Sequence, residues 1–185
     1  PESVGHDLTV STYGYAGLYL DYPVQMPEGT ETYTVSAIDG NAVTLSRIAS
    51  SLVPASTAVI VKAPAGRYRL AYAESATPAE SANLLCGSSF TRYMEGEAST
   101  SYYLFGVKTN NVGLYKAWLE YSDNGTIADG NKGTDKGGHF KVSANKVYLP
   151  LSGSTQPTSL TFNFDGIHTG INGQQINDGP TIIYD

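Results

Sequence analysis

The chain has 185 residues, of which 11 are Lys or Arg and 17 are Asp or Glu, giving a net charge of −6. Its few basic residues are scattered, which argues against a nucleic-acid partner, since phosphate binding needs clustered Lys and Arg. One cysteine, Cys86, excludes an intrachain disulfide and any cysteine metal cluster.

Twenty glycines and fourteen tyrosines, against five phenylalanines and one tryptophan, favour strands and tight turns over helices. In chain order, "YAGLYLDY" puts Leu18, Leu20 and Tyr22 on one face of a strand, with Gly17, Tyr19 and Asp21 on the other. In "TYTVSAI", Tyr33, Val35 and Ala37 share a face. "AIDGNAVTL" is a hairpin signal, with Asp39-Gly40-Asn41 between two alternating runs. "AVIV" (Ala58, Val59, Ile60, Val61) does not alternate, so a strand covered on both faces is expected there. "GRYRLAY" gives Tyr68, Leu70 and Tyr72 an inner face and Arg67 and Arg69 an outer one. In "SLTFNF", Leu160, Phe162 and Phe164 point inward.

The best helix candidate is "TPAESANLL", with Thr77 as cap, Pro78 at the first helical position and Glu80 three residues after the cap. It is one or two turns at most. Strand candidates recur about every ten to fifteen residues, the rhythm of a sandwich or barrel. The expected fold is therefore all-β, sandwich- or barrel-like, with one β domain over residues 1–170 and a linker over 171–185. No apolar run is long enough to cross a bilayer as a helix.

An internal echo bears on architecture. "VPAS" at Val53 returns as "VSAN" at Val142, each leading into an apolar run. Gly17-Leu18-Tyr19 lies upstream of the first and Gly113-Leu114-Tyr115 upstream of the second; an alternating strand follows each. Two readings stand. Either a Tyr- and Gly-rich β sequence repeats itself by chance, or two similar halves, about 8–90 and 100–166, pack together.

The succession "GYAGLYLDYPVQMPEGTETYTVSAIDGNAVTLSRIASSLVPASTAVIVKAPAGRYRL", then "NLLCG", "YYLFGV", "VGLYKA", "ANKVYLPL", "SLTFNFDG" and "TGIN" resembles a β-rich domain of secreted and cell-surface proteins of gut Bacteroidetes. The likeness covers roughly Tyr13 to Asn172. It implies an extracellular or cell-surface location, a neighbouring surface module such as leucine-rich repeats, and a sorting-like tail opening near Ile183-Tyr184-Asp185. It brings no catalytic residues with it. The polar stretch Glu120–Phe140 is longer than that family's pattern implies.

Chemistry is sparse. No G-x-S-x-G elbow occurs, no Gly-rich loop leads into a helix with a lysine, and His6, His139 and His168 lie far apart. In "DGNKGTD", Asp129, Asn131 and Asp135, with Asp123 nearby, offer oxygens of the kind Ca²⁺ takes. The twelfth position from Asp129 is Phe140 rather than Glu, so the EF-hand pattern fails, and a solvated turn-rich loop is the plainer reading. Tyr115, Trp118 and Tyr121 lie close together as a candidate sugar platform. Alternation instead puts Trp118 with Leu114 and Val112 and the two tyrosines on the opposite face.

These readings lead to a monomeric, non-catalytic module of a bacterial surface or secreted protein, without cofactor, serving adhesion, ligand or glycan contact. A glycan-hydrolase fragment with two facing carboxylates is the alternative from another class, and a pure spacer is the third.

Overall fold

The computed structural model describes residues 5–78, 82–97, 99–117, 138–153, 156–164, 167–169 and 175–177. They form strands and turns, with no helix among them. The strands are β1 (Gly5–Val10), β2 (Tyr15–Leu18), β3 (Val24–Gln25), β4 (Glu31–Asp39), β5 (Ala42–Arg47), β6 (Leu52–Val53), β7 (Val59–Lys62) and β8 (Gly66–Tyr72). Then come β9 (Cys86–Ser88), β10 (Arg92–Gly96), β11 (Thr100–Lys108), β12 (Asn111–Lys116), β13 (Gly138–Val142), β14 (Lys146–Ser152), β15 (Ser159–Phe164), β16 (Ile167–Thr169) and β17 (Gln175–Asn177).

The main sheet runs β2-β7-β4-β5-β15-β12-β11-β14-β9, with the β16-β17 hairpin joined to β15. Its order reads as a palindrome about β15. On one side β4 pairs with β5 and β7, and β2 with β7; on the other β11 pairs with β12 and β14, and β9 with β14. β15 runs parallel to β5 and antiparallel to β12, as a strand between two oppositely directed neighbours must. Outside the main sheet the correspondence continues, for β3 pairs with β6 as β10 pairs with β13.

Register makes the match residue by residue. Tyr33 faces Ile60 on β7 and Arg47 on β5, while Tyr103 faces Leu149 on β14 and Lys116 on β12. Thus "VTLSR" (43–47) stands where "VGLYK" (112–116) stands in the other half. Gly113-Leu114 therefore corresponds to Thr44-Leu45, and not to Gly17-Leu18, whose strand β2 sits at the sheet's end. The strands after the echoed turns also part company. β8 leaves to pair with β1 and β3, whereas β15 enters the centre of the main sheet.

The ends of the main sheet curl toward each other into a nearly closed barrel. The Tyr19 amide donates to the Asn145 carbonyl at 3.0 Å, and Asn145 Nδ2 donates to the Tyr19 carbonyl at 3.1 Å. Closure needs small residues: a Cβ on Gly17 would lie 2.7 Å from Val147, and one on Gly87 would collide with the Tyr19 ring.

Apolar residues sort into three cores. Tyr33, Val35, Leu45, Ile60, Tyr103, Leu114, Leu149, Leu160 and Phe162 fill the interior of the main sheet. Leu18, Val24, Val53, Val59, Val61 and Leu70 pack between its β2-β7 end and the small β1-β8-β3-β6 sheet. Tyr102, Phe140 and Val142 form a smaller core under the β10-β13 ribbon. The run Ala58–Val61 is covered on both faces as expected, with Ala58 and Ile60 in the first core and Val59 and Val61 in the second. Leu160, Phe162 and Phe164 point inward, as their alternation indicates.

Three expectations are corrected. Ala37 is exposed, because a β-bulge between Val35 and Ala37 shifts the register and turns Ile38 to the core instead. Tyr72, placed on an inner face by alternation, is 51% exposed at the end of β8. In "TPAESANLL", the described residues 77–78 and 82–85 are neither helix nor strand. Asn83 Oδ1 accepts from the amides of Val35 (3.3 Å) and Leu85 (3.2 Å), its Nδ2 donates to the Ala58 carbonyl (2.8 Å), and the Leu84 amide donates to the Val35 carbonyl (2.8 Å). These long-range bonds satisfy the bulge and tie Asn83, Leu84 and Leu85 to β4 and Ala58.

Candidate functional site

A cleft of about 790 Å³ opens at one end of the main sheet. Tyr13 and Gly14 in the turn before β2, Tyr15 at its start, Gly29 and Thr30 before β4, Glu31 opening it, Arg47 closing β5, Lys62 closing β7, and Ala63 and Pro64 after it line the cleft. Local backbone chemistry sets the rim. Gly14 (φ 79°) and Gly29 (φ 82°) take left-handed conformations that a side chain would strain. The Ala63 amide donates to the Gly14 carbonyl at 3.0 Å and so ties the turn to β7.

Register supplies the charges. Glu31 and Lys62 face each other across β4 and β7, and Arg47 faces Tyr33 across β4 and β5. Glu31 Oε2 accepts from the Tyr33 hydroxyl at 2.6 Å, and Oε1 lies 3.5 Å from the Arg47 guanidinium. Lys62 Nζ sits 5.2 Å above the centre of the Phe164 ring, within cation–π range. Tyr15 packs its ring 5.8 Å from Phe162 and 6.3 Å from Phe164. Tyr13 is 40% exposed, and its hydroxyl donates to Asn110 Oδ1 at 2.9 Å, reaching the β11-β12 turn of the other half.

Burial pushes both the Tyr15 and Tyr33 hydroxyls above the usual tyrosine range. The nearby Glu31 carboxylate adds to this for each, and for Tyr33 it also holds the proton in a hydrogen bond. Both phenols stay neutral donors at physiological pH. The cleft thus offers an aromatic wall, two cations, one carboxylate and fixed donors, a set suited to binding a polar ligand with apolar faces.

Of the platform residues, Tyr115 lies on β12 beside a smaller cleft of about 400 Å³ that also touches Phe105, Lys108, Phe140 and Lys141. Its hydroxyl donates to the Asn111 carbonyl at 2.6 Å, and Lys108 Nζ lies 5.0 Å from its ring centre, so its polar tip is already bonded and Lys108 occupies one face. Trp118 and Tyr121 lie outside the described residues, as do the calcium candidates Asp123, Asp129, Asn131 and Asp135. Among the described residues no group of three or more His, Cys, Asp or Glu could hold a metal ion. Cys86 is half-buried beside Tyr148, and burial raises its thiol pKa, the opposite of a reactive thiol.

Sequence reasoning missed the larger cleft. Nothing in the sequence singled out Tyr13 or Tyr15, and Glu31, Arg47 and Lys62 lie on three separate strands. The chain carries no local signal that these strands are neighbours, since β7 returns to pair with β4 only through the sheet's long-range order.

Fold and cleft together define an all-β protein with a polar, tyrosine-walled cleft at one end of a nearly closed sheet. No family model matches the chain, nor does any curated protein or solved structure. Among the described residues no helix is long and apolar enough to cross a membrane.

Proposed function

We propose that this chain is a non-catalytic binding module of a bacterial cell-surface or secreted protein, and that it contacts a glycan through the Tyr13–Lys62 cleft. The observation that carries this reading is the placement of an exposed tyrosine next to Glu31, Arg47 and Lys62 on one concave surface. A sugar ring has an apolar C–H face that packs on an aromatic ring and a hydroxyl rim that bonds to charged groups, and the cleft supplies both. Glycoside hydrolysis works through a pair of carboxyl groups. Among the described residues lining this cleft Glu31 is the single carboxylate, and its two oxygens are engaged by Tyr33 and Arg47. That favours binding over hydrolysis. The resemblance to surface-protein domains supports the extracellular setting.

The test is a glycan array read with the wild-type chain, Tyr13→Ala and, as a control remote in sequence, Tyr93→Ala, which replaces another exposed tyrosine. Tyr13→Ala is expected to weaken every hit about tenfold or more, corresponding to about 1.4 kcal/mol, with Tyr93→Ala unchanged. Hits indifferent to Tyr13 would place recognition elsewhere.

A further inference from the structure

We infer that the glycan bound in this cleft is acidic, presenting a carboxylate of the uronic-acid type to Lys62 and Arg47. This rests on the reading of the cleft as a glycan site. Its independent support is the palindromic sheet, which serves as an internal control. Across β4 and β7 the register places Glu31 opposite Lys62; at the matching positions across β11 and β14 it places Ser101 opposite Leu151. This strand pairing is built once with the Glu31 and Lys62 charges and once without, so the fold does not require those two, whereas the position of Arg47 carries a cation, Lys116, in the other half as well.

The charges at the cleft do not cancel. Glu31 is held by Tyr33 on one oxygen and approached by Arg47 on the other. Among the described residues Lys62 makes no ion pair; its ammonium is held over Phe164 instead. Among the described lining residues two cations stand against one carboxylate, on a protein of net charge −6. Arg47 exposes 59% of its side chain and can turn from Glu31 to an incoming anion. A ligand carboxylate facing a lysine and an arginine forms charge-assisted hydrogen bonds, stronger than those to neutral hydroxyls. Tyr13, exposed at the rim, remains available to the sugar's apolar face.

The experiment uses the full chain and an array holding oligogalacturonates, their methyl esters and neutral oligosaccharides, followed by calorimetry on any hit. Expected are hits among acidic members, with the methyl ester of the same oligosaccharide bound about tenfold or more weakly and affinity falling as salt rises. Lys62→Met keeps an apolar stem over Phe164 and should lose most of the acid-over-ester preference. Neutral hits that depend on Tyr13 would overturn the acidic assignment while leaving the glycan reading standing. An acid preference unchanged by both Lys62→Met and Arg47→Met would also overturn it. A chain that binds no glycan on the array removes both.

Discussion

Two residues show how the echoed turns work. Ser56 (φ 55°) and Asn145 (φ 60°) hold the left-handed conformation at matching places in "VPAS" and "VSAN". Each donates its amide at 2.7 Å to a neighbouring segment, Ser56 to the Leu20 carbonyl just past β2 and Asn145 to the Ser88 carbonyl at the end of β9. Asparagine tolerates this conformation better than serine, and Asn145 also bonds across the barrel seam to Tyr19. Ser56→Gly should therefore raise stability by up to about 1 kcal/mol, since glycine relieves the strain at a small entropic cost. Asn145→Ala should lower it by about 2 kcal/mol, losing the side-chain bond and adding backbone strain. Urea denaturation of both variants checks this. Equal and small effects would mean that the two turns do not carry this strain. The sequence exposes the echo; which of its residues bends the backbone emerges only from the angles.

At the scale of elements, alternation was a good guide along β15 but failed at the end of the regular strand β8, where Tyr72 is exposed. β15 and the doubly covered β7 follow their patterns, and the hairpin at Gly40 turns between Asp39 and Ala42 as expected. It misled where backbone geometry breaks the period of two. The bulge in β4 reverses Ala37 and Ile38, and the partner that fills it, Asn83, lies in a segment whose local signals favour a helical turn. Those signals are worth tenths of a kcal/mol per residue, less than the bonds Asn83 makes to β4 and Ala58. Asn83→Ala should cost about 2–3 kcal/mol, because it leaves the Val35 amide and the Ala58 carbonyl short of partners in a packed region. A shift in the denaturation midpoint without loss of cooperativity is expected. A neutral outcome would contradict the role given to Asn83. The close fit of Gly87 against Tyr19 has no sequence signature either, since its constraint comes from a strand far away in the chain.

For the whole molecule, β15 holds the architecture together. It joins β5 of one half to β12 of the other and carries Leu160 and Phe162 into the main core. The all-β class was legible from composition and rhythm. The palindrome was not legible, because the match of "VTLSR" with "VGLYK" is visible as a correspondence only once both strands are seen beside β15. The cleft was not legible at all, for it is assembled from the ends of strands that long-range pairing brings together. On its charged side the two halves differ at matching positions, Glu31 and Lys62 against Ser101 and Leu151, while Arg47 is matched by Lys116. The most direct test of the central claim is a ¹H–¹⁵N chemical-shift titration of the full chain with the best array ligand. Shifts should centre on Tyr13, Tyr15, Glu31, Arg47 and Lys62 and fade toward the opposite half. A response centred on Tyr115 and Lys108, with the Tyr13 cleft silent, would contradict the account.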